Sequence, residues 1–429
     1  MTARSPASGA GLAPIRTVLG NDAVFLTKET TTTPAVAISL AMRAGSAADP
    51  PGAEGAMWLL SRVIDRGTEA RTASQIAEDL DGRGITLSIS VTRHLFSVVC
   101  TCLSEDFEPV LALLGEILAT PSLPASEIAT RKGEVITAIR QDDDNPAVRA
   151  NEALMARLYP GGHPYGRRTK GSVEIVEHLT RDDLVRLHAA HFAPANLLGV
   201  IVGDIAVGQA QDAVARVFGG WRAPAPAPIV LPPVAPAANR DHVVIPMMNK
   251  SQADIAYGFT AITRHDPDYY ACWLMNNAFG QYAIGGRLGD SIRERQGMAY
   301  YVSSSLDASV AAGPLAIRAG VNPTNVERAI ASIDEEIVRL VTDGLTLKEL
   351  DESRQFLIGS MPRALETNAS LANFLQNEEF FGLGLDYDLQ LPGQLRAVTL
   401  DGANAAARRI LAVDRATVVV AGPYTEKGR

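Results

Sequence analysis

The side chains that could do chemistry fall in a few places. Ser61 lies between Trp58 and Arg62 in the stretch Gly55 to Thr68. There Ala56, Leu59, Leu60, Val63 and Ile64 fall near one face of a helix that Gly67 would stop. A serine nucleophile wants a strained Gly-x-Ser-x-Gly turn, which Ser61 lacks. Metal-assisted hydrolysis wants neutral imidazoles one turn apart, a third ligand and a carboxylate base beside the bound water. Trp58 cannot ligate zinc, Ser61 cannot act as a base near neutral pH, and Arg62 carries a permanent positive charge that repels a metal. His188 and His191, spaced i, i+3, form a possible pair of ligands, while His94, His163, His178, His242 and His265 are scattered. Cys100 and Cys102 alternate onto one side of an expected strand, where small apolar residues belong. With Cys272 they suit a reducing compartment.

Arg293 and Tyr300 are the remaining candidates. Arg293 falls in the last turn of an expected helix, Leu288 to Gln296, closed by Gly297. Tyr300 opens the next strand, so a helix end and a strand start can converge on one rim. A phenol there can stabilise an oxyanion, and a guanidinium can hold a peptide carbonyl.

Elements that would carry these residues follow from pattern. Strands are expected at 23–26, 36–42, 85–91, 95–102 and 196–204. Helices are expected at 55–66, 72–80, 106–118, 126–139, 154–159 and 180–191, the last with Thr180 as N-cap and Asp183 completing a capping box. Six prolines between Arg222 and Arg240 then mark a semi-extended linker. Beyond it the order repeats: a strand at 253–259, helices at 268–279 and 288–296, strands at 300–306 and 314–319, helices at 325–342, 347–361 and 400–411, and a strand at 417–421. Gly203 to Gly422 is an offset of 219 residues, and so is Val36 to Ile255. That points to two homologous domains, 1–221 and 241–429, joined by the linker 222–240. The fold class is α+β, each domain a largely antiparallel sheet with helices packed on it.

Composition excludes little but helps. With 47% hydrophobic and 20% charged residues over 429 positions, the chain reads as globular, and its net charge of −9 argues against nucleic acid or an anionic membrane as partner. No apolar run reaches the roughly 18 residues of a membrane span. The first residues show no apolar leader, so a cytoplasmic location is expected, or a periplasmic one if an upstream segment was removed.

The 55–66 helix and the segment from Gly285 to Ser305 together resemble the pitrilysin, insulysin and mitochondrial processing peptidase family of inverted zinc metallopeptidases. The helix has the frame of the H-x-x-E-H motif, with Trp58, Ser61 and Arg62 at its three key positions. The glutamate ligand that family places about 75 residues later falls on Thr137, Ala138 or Ile139, with Glu134 nearby. His188 and His191 fall on a structural helix. The second segment is similar to the family signature S-R-L-x-x-x-I-R-E-x-x-G-L-A-Y-x-V, whose arginine and tyrosine reach the zinc site of a facing domain; the matching residues are Arg293 and Tyr300. The resemblance implies a non-zinc-binding small subunit of a bacterial heterodimeric peptidase, inactive alone. It would hold no cofactor itself, would lend Arg293 and Tyr300 to a zinc-bearing partner with H-x-x-E-H, and would help enclose a peptide substrate that adds to a sheet edge. The alternative is a structural homologue with no peptidase role.

Overall fold

The computed structural model describes residues 11–281 and 286–425. The N-terminal segment read for a leader lies largely outside them, as does Gly285. The strands are β1 (Ile15–Val18), β2 (Val24–Glu29), β3 (Ala35–Met42), β4 (Ser88–Val91), β5 (Phe96–Leu103), β6 (Leu197–Gly203), β7 (Asp241–Pro246), β8 (Ala253–Thr260), β9 (Ala299–Leu306), β10 (Pro314–Val321) and β11 (Thr417–Gly422). The helices are α1 (Ala56–Val63), α2 (Ala73–Asp81), α3 (Phe107–Ala119), α4 (Ala125–Asp143), α5 (Pro146–Leu158), α6 (Val173–His178), α7 (Arg181–His191), α8 (Val207–Phe218), α9 (Tyr269–Asn276), α10 (Val326–Thr342), α11 (Leu347–Ala364), α12 (Asn368–Phe381), α13 (Tyr387–Ala397) and α14 (Leu400–Ile410).

Each half of the sequence supplies one sheet, and the two sheets share a plan. The first runs β1-β2-β6-β3-β5-β4 and the second β7-β11-β8-β10-β9. In each, one pair is parallel, β2 with β6 and β7 with β11, and the remaining pairs are antiparallel. The α+β class and the repeat read from the sequence therefore hold. The numerical offset needs correction at one end. Gly203 and Gly422 share a positive φ, 153° and 141°, and each lies against strand backbone, at Val36 in one unit and at Ala253 in the other. A side chain at either glycine would collide with that backbone, so these are equivalent positions. Gly422 follows Gly203 by 219 residues, but Ala253 follows Val36 by 217. Strand β8 is thus displaced by two residues from the pairing with Ile255, a shift that keeps every side chain on the same face of the pleat.

The compact units do not follow the linear halves. One comprises residues 1–136, 169–229 and 361–392; the other comprises 137–168, 230–360 and 393–429. The contiguous boundaries expected from the linker are crossed by two helical segments, and burial explains why. In the first unit, α12 lays Leu371, Ala372 and Leu375 on Leu26, Ala37, Val200 and Val202 of the sheet. In the second, α5 lays Ala150, Leu154 and Leu158 on Ala256, Ala316, Val419 and Ala421. Each helix comes from the opposite half of the sequence and occupies the equivalent place in the repeat. α12 has no counterpart in the sequence reading, and α5 begins at Pro146, earlier than expected. Asn145 caps it, accepting the N–H groups of Ala147 and Val148, and a proline is well suited to the first helical position.

Within the second unit the linker is seated rather than free. Leu231 and Val234 pack against the α5 cluster. The buried ring of His163 joins them: Nε2–H donates to Pro232 O at 3.1 Å, while Nδ1 accepts the Tyr165 N–H at 3.0 Å.

Candidate functional site

Helix α1 is set by its entry. The buried carboxylate of Asp49 accepts the N–H groups of Gly55 at 2.8 Å and Met57 at 2.7 Å, satisfying two of the free donors at the helix start. Ala56, Met57, Leu59, Leu60 and Val63 go into the core, which turns Arg62 outward and leaves Trp58 half-buried. Ser61 is buried, and its hydroxyl donates back to the Trp58 carbonyl at 2.7 Å, the usual resting place of a helical serine. The Arg62 guanidinium lies 4.8 Å from the centre of the Trp58 ring, and the Lys170 ammonium lies 5.5 Å from the same ring. Two cations and an indole thus fill the turn.

On α4, Thr137 is exposed, Ala138 half-buried and Ile139 in the core. Glu134 is exposed and hydrogen-bonded to Arg131, whose bond and charge, with the fields of Arg66 and Arg62, hold its carboxyl below the usual range. These residues do not fit zinc: an indole, a hydroxyl turned to backbone and a guanidinium offer no ligand set. No cluster of three or more His, Cys, Asp or Glu suited to a metal occurs among the described residues. His188 is committed elsewhere, donating from Nε2 to Leu118 O at 2.9 Å and stacking on Phe192. Burial pushes His188 and His191 down, toward the neutral form. Cys100 and Cys102 are buried in β5, and burial pushes their thiols up to about 12 and about 11, so neither is a ready thiolate.

In the second unit the segment Gly289–Arg295 winds as a wide π-helical turn instead of the expected α-helix. It buries Ser291 and Ile292 and ends where the N–H of Gly297 reaches Arg293 O and that of Met298 reaches Ile292 O. Another π-helical turn, Asn277–Gln281, extends α9. Such turns interrupt helices at functional sites more often than elsewhere. Arg293 is half exposed, and among the described residues its ion pairing is a loose 3.7 Å approach to Glu294.

Tyr300 is 64% exposed on β9, which among the described residues is an edge strand paired with β10. The register slips here: Val321 faces Ala299 and Gly320 faces Tyr301. Tyr300 is therefore the extra residue of a β-bulge, between Ala299 and Val302, which both point into the core. A bulge re-aims a side chain, and that is its effect on Tyr300.

The next residue pins the bulge. The Tyr301 hydroxyl donates to Asp254 Oδ1 at 2.6 Å, and Gln252 Nε2 donates to the same oxygen at 2.9 Å. Burial, then Asp254, raises the Tyr301 phenol well above its ordinary value. These groups line a polar cleft of about 500 Å³ with Asn145 and Lys250, whose ammonium is 2.6 Å from Asp144. Neither Tyr301 nor Asp254 was singled out from the sequence, because their meeting depends on β8 and β9 both flanking β10. Arg287, on the same segment, is a partly buried ion-pair residue. It forks onto Glu349 through Nε at 2.6 Å and a terminal nitrogen at 2.9 Å, and reaches Gly344 O. Burial alone would raise the Glu349 carboxyl, but the hydrogen bonds from Arg287 and Thr346 hold it down to about 2. Arg295, paired with Asp290, is an exposed surface charge.

Two repeats of one α+β plan, with Trp58, Ser61 and Arg62 at the motif positions of the first, define a class: a relative of the inverted zinc peptidases without zinc ligands at those positions. The comparisons agree. A family profile described as insulinase, peptidase family M16, matches residues 24–170, and one described as the peptidase M16 inactive domain matches residues 178–357. The chain belongs to the M16 peptidase family. An uncharacterised zinc protease of Streptomyces coelicolor is 25% identical over 393 residues, 89% of this chain and 84% of that protein. A non-peptidase homologue of Helicobacter pylori is 23% identical over 372 residues, 86% of this chain and 84% of that protein. A crystal structure described as a peptidase M16 inactive domain from Pseudomonas fluorescens superposes with a TM-score of 0.89 at 27% identity, covering 97% of this chain and 99% of that one.

Proposed function

We propose that this chain is the non-catalytic subunit of a two-chain zinc peptidase, and that it lends Arg293 and Tyr300 to the zinc site of a homologous partner carrying H-x-x-E-H. The observation that carries the reading is the contrast between the two units. The metal turn is filled by Trp58, Arg62 and Lys170, whereas Tyr300 stands exposed on a bulge braced by Tyr301 and Asp254. In this role the Tyr300 phenol donates to the oxyanion that forms as the peptide carbonyl is attacked, and the Arg293 guanidinium holds a neighbouring substrate carbonyl. The metal and the general base reside in the partner, and the substrate is a polypeptide in extended form.

The test is co-expression with a homologue bearing H-x-x-E-H, followed by assay of a fluorogenic peptide. Activity is expected from the pair and from neither chain alone. Tyr300→Phe is expected to lower kcat by roughly 100-fold, the usual cost of one oxyanion donor, and Arg293→Ala to raise KM with a smaller loss in kcat. An unchanged rate in both variants sinks the assignment. A second reading, a structural homologue with no part in hydrolysis, is favoured by the description of the Helicobacter pylori relative as a non-peptidase. It predicts that no H-x-x-E-H partner copurifies.

A further inference from the structure

We propose that the emptied metal turn is itself a binding site, and that Trp58, Arg62 and Lys170 take a carboxylate carried by a polypeptide. This stands apart from the role of Arg293 and Tyr300. The turn is built. Gly55 and Gly171, with φ of +93° and +75°, lie backbone to backbone. A Cβ on Gly55 would come within 2.3 Å of the Lys170 carbonyl oxygen, and one on Gly171 within 2.1 Å of that of Glu54. That contact holds the Lys170 loop at the start of α1 and brings its ammonium to the ring of Trp58, while Arg62 reaches the same ring from one turn further along.

Arg62 is available. Among the described residues no hydrogen bond or ion pair engages its guanidinium. Glu134, whose carboxylate feels Arg62, is hydrogen-bonded to Arg131 instead. A guanidinium held over an indole keeps its N–H fork in its own plane, the geometry that a planar carboxylate meets with two parallel hydrogen bonds. The Lys170 ammonium adds a second positive charge over the same ring. A site that in a metal-binding relative presents a cation to a peptide here presents fixed cations, and the matching ligand is an anionic group of a peptide rather than its neutral carbonyl. Membership of a peptidase family makes the carrier a polypeptide. Its carboxylate is an acidic side chain or the chain terminus.

The full chain tests this alone, with no partner subunit. Three dansylated peptides are titrated by anisotropy at low salt: one with a single glutamate and an amidated end, its glutamine counterpart, and that glutamine peptide with a free C-terminal carboxylate. At least one carboxylate peptide is expected to bind about tenfold or more tightly than the neutral one, with the advantage shrinking at high salt. Which of them does so identifies the source. Arg62→Gln is expected to abolish the preference, and Arg62→Lys, which keeps the charge but not the fork, to leave part of it. The exposed position of Arg62 lets both variants fold, as an unchanged melting temperature would confirm. Equal binding of all three peptides, or a preference that survives Arg62→Gln, overturns the proposal.

Discussion

Glu378 shows how much a single side chain can conceal. It is 1% exposed on α12, and neither carboxylate oxygen has a hydrogen-bonding partner among the described residues. Burial, and then the field of Asp388, pushes its carboxyl up to about 8, with Asp386 adding to the shift. A raised folded-state pKa means that the protonated form is the one the fold accepts. In the unfolded chain the same acid ionises near its ordinary value of about 4.5. Stability from this group is therefore full below about 4.5 and is lost as pH rises through about 8. Glu378→Gln supplies a neutral group of the same shape. The variant is expected to melt above the parent at pH 8 and to converge with it at pH 4.5 to 5, measured by thermal unfolding across pH. A parent and variant that keep the same difference at every pH would rule this out. The three metal-turn residues lie at the same scale. That Trp58, Ser61 and Arg62 cannot ligate zinc is a matter of residue type, readable from the sequence. The approach of Lys170 to the Trp58 ring is not, because Lys170 lies more than a hundred residues away and is held there by a backbone contact between two glycines.

At the scale of elements, the helices that cross between sequence halves hold the most leverage. Leu154 is fully buried where α5 crosses its sheet, and Leu375 is fully buried in the same way on α12. Leu154→Ala removes three carbons from a packed interface and is expected to cost about 2–5 kcal/mol, read as a lower denaturant midpoint. An equally exposed-face change on the same helix, Arg157→Ala, is expected to shift stability by less than about 0.5 kcal/mol, since its ion pair with Asp241 is at the surface. Capping was legible in advance: Thr180 and Asp183 form the capping box that the pattern T-x-x-D announces, and both hydrogen bonds are present. The exchanged helix α12 was not legible. Its polar and apolar residues carry only a weak period, because Glu378 and Gln376 are buried beside Leu375. Likewise the π-helical winding at 289–295 follows no residue pattern, and an α-helix was the natural expectation.

The whole molecule follows from the reciprocal exchange. Residues 137–168 belong with the second unit and residues 361–392 with the first. Neither linear half owns a complete core. Fragments 1–229 and 230–429, expressed separately, are each expected to be largely unfolded, with α5 and α12 missing from the sheets they cover. Expressed together, they are expected to reconstitute a folded complex despite the cut linker. Size exclusion with circular dichroism reads both results, and two independently folded, monomeric fragments would contradict the exchange. No described helix is long and apolar enough to cross a membrane.

The sequence by itself determined the family frame, the α+β repeat and the residue types that stand at Trp58, Ser61, Arg62, Arg293 and Tyr300, because these depend on residue identity and local period. Tertiary structure decided what those residues became. The two-residue shift of β8, the bulge that lifts Tyr300, the Asp254–Tyr301 brace, the cation-filled turn at Trp58 and the traded helices all rest on which distant backbones come into contact. Burial and close approach select such contacts across the fold, and no local periodicity encodes them.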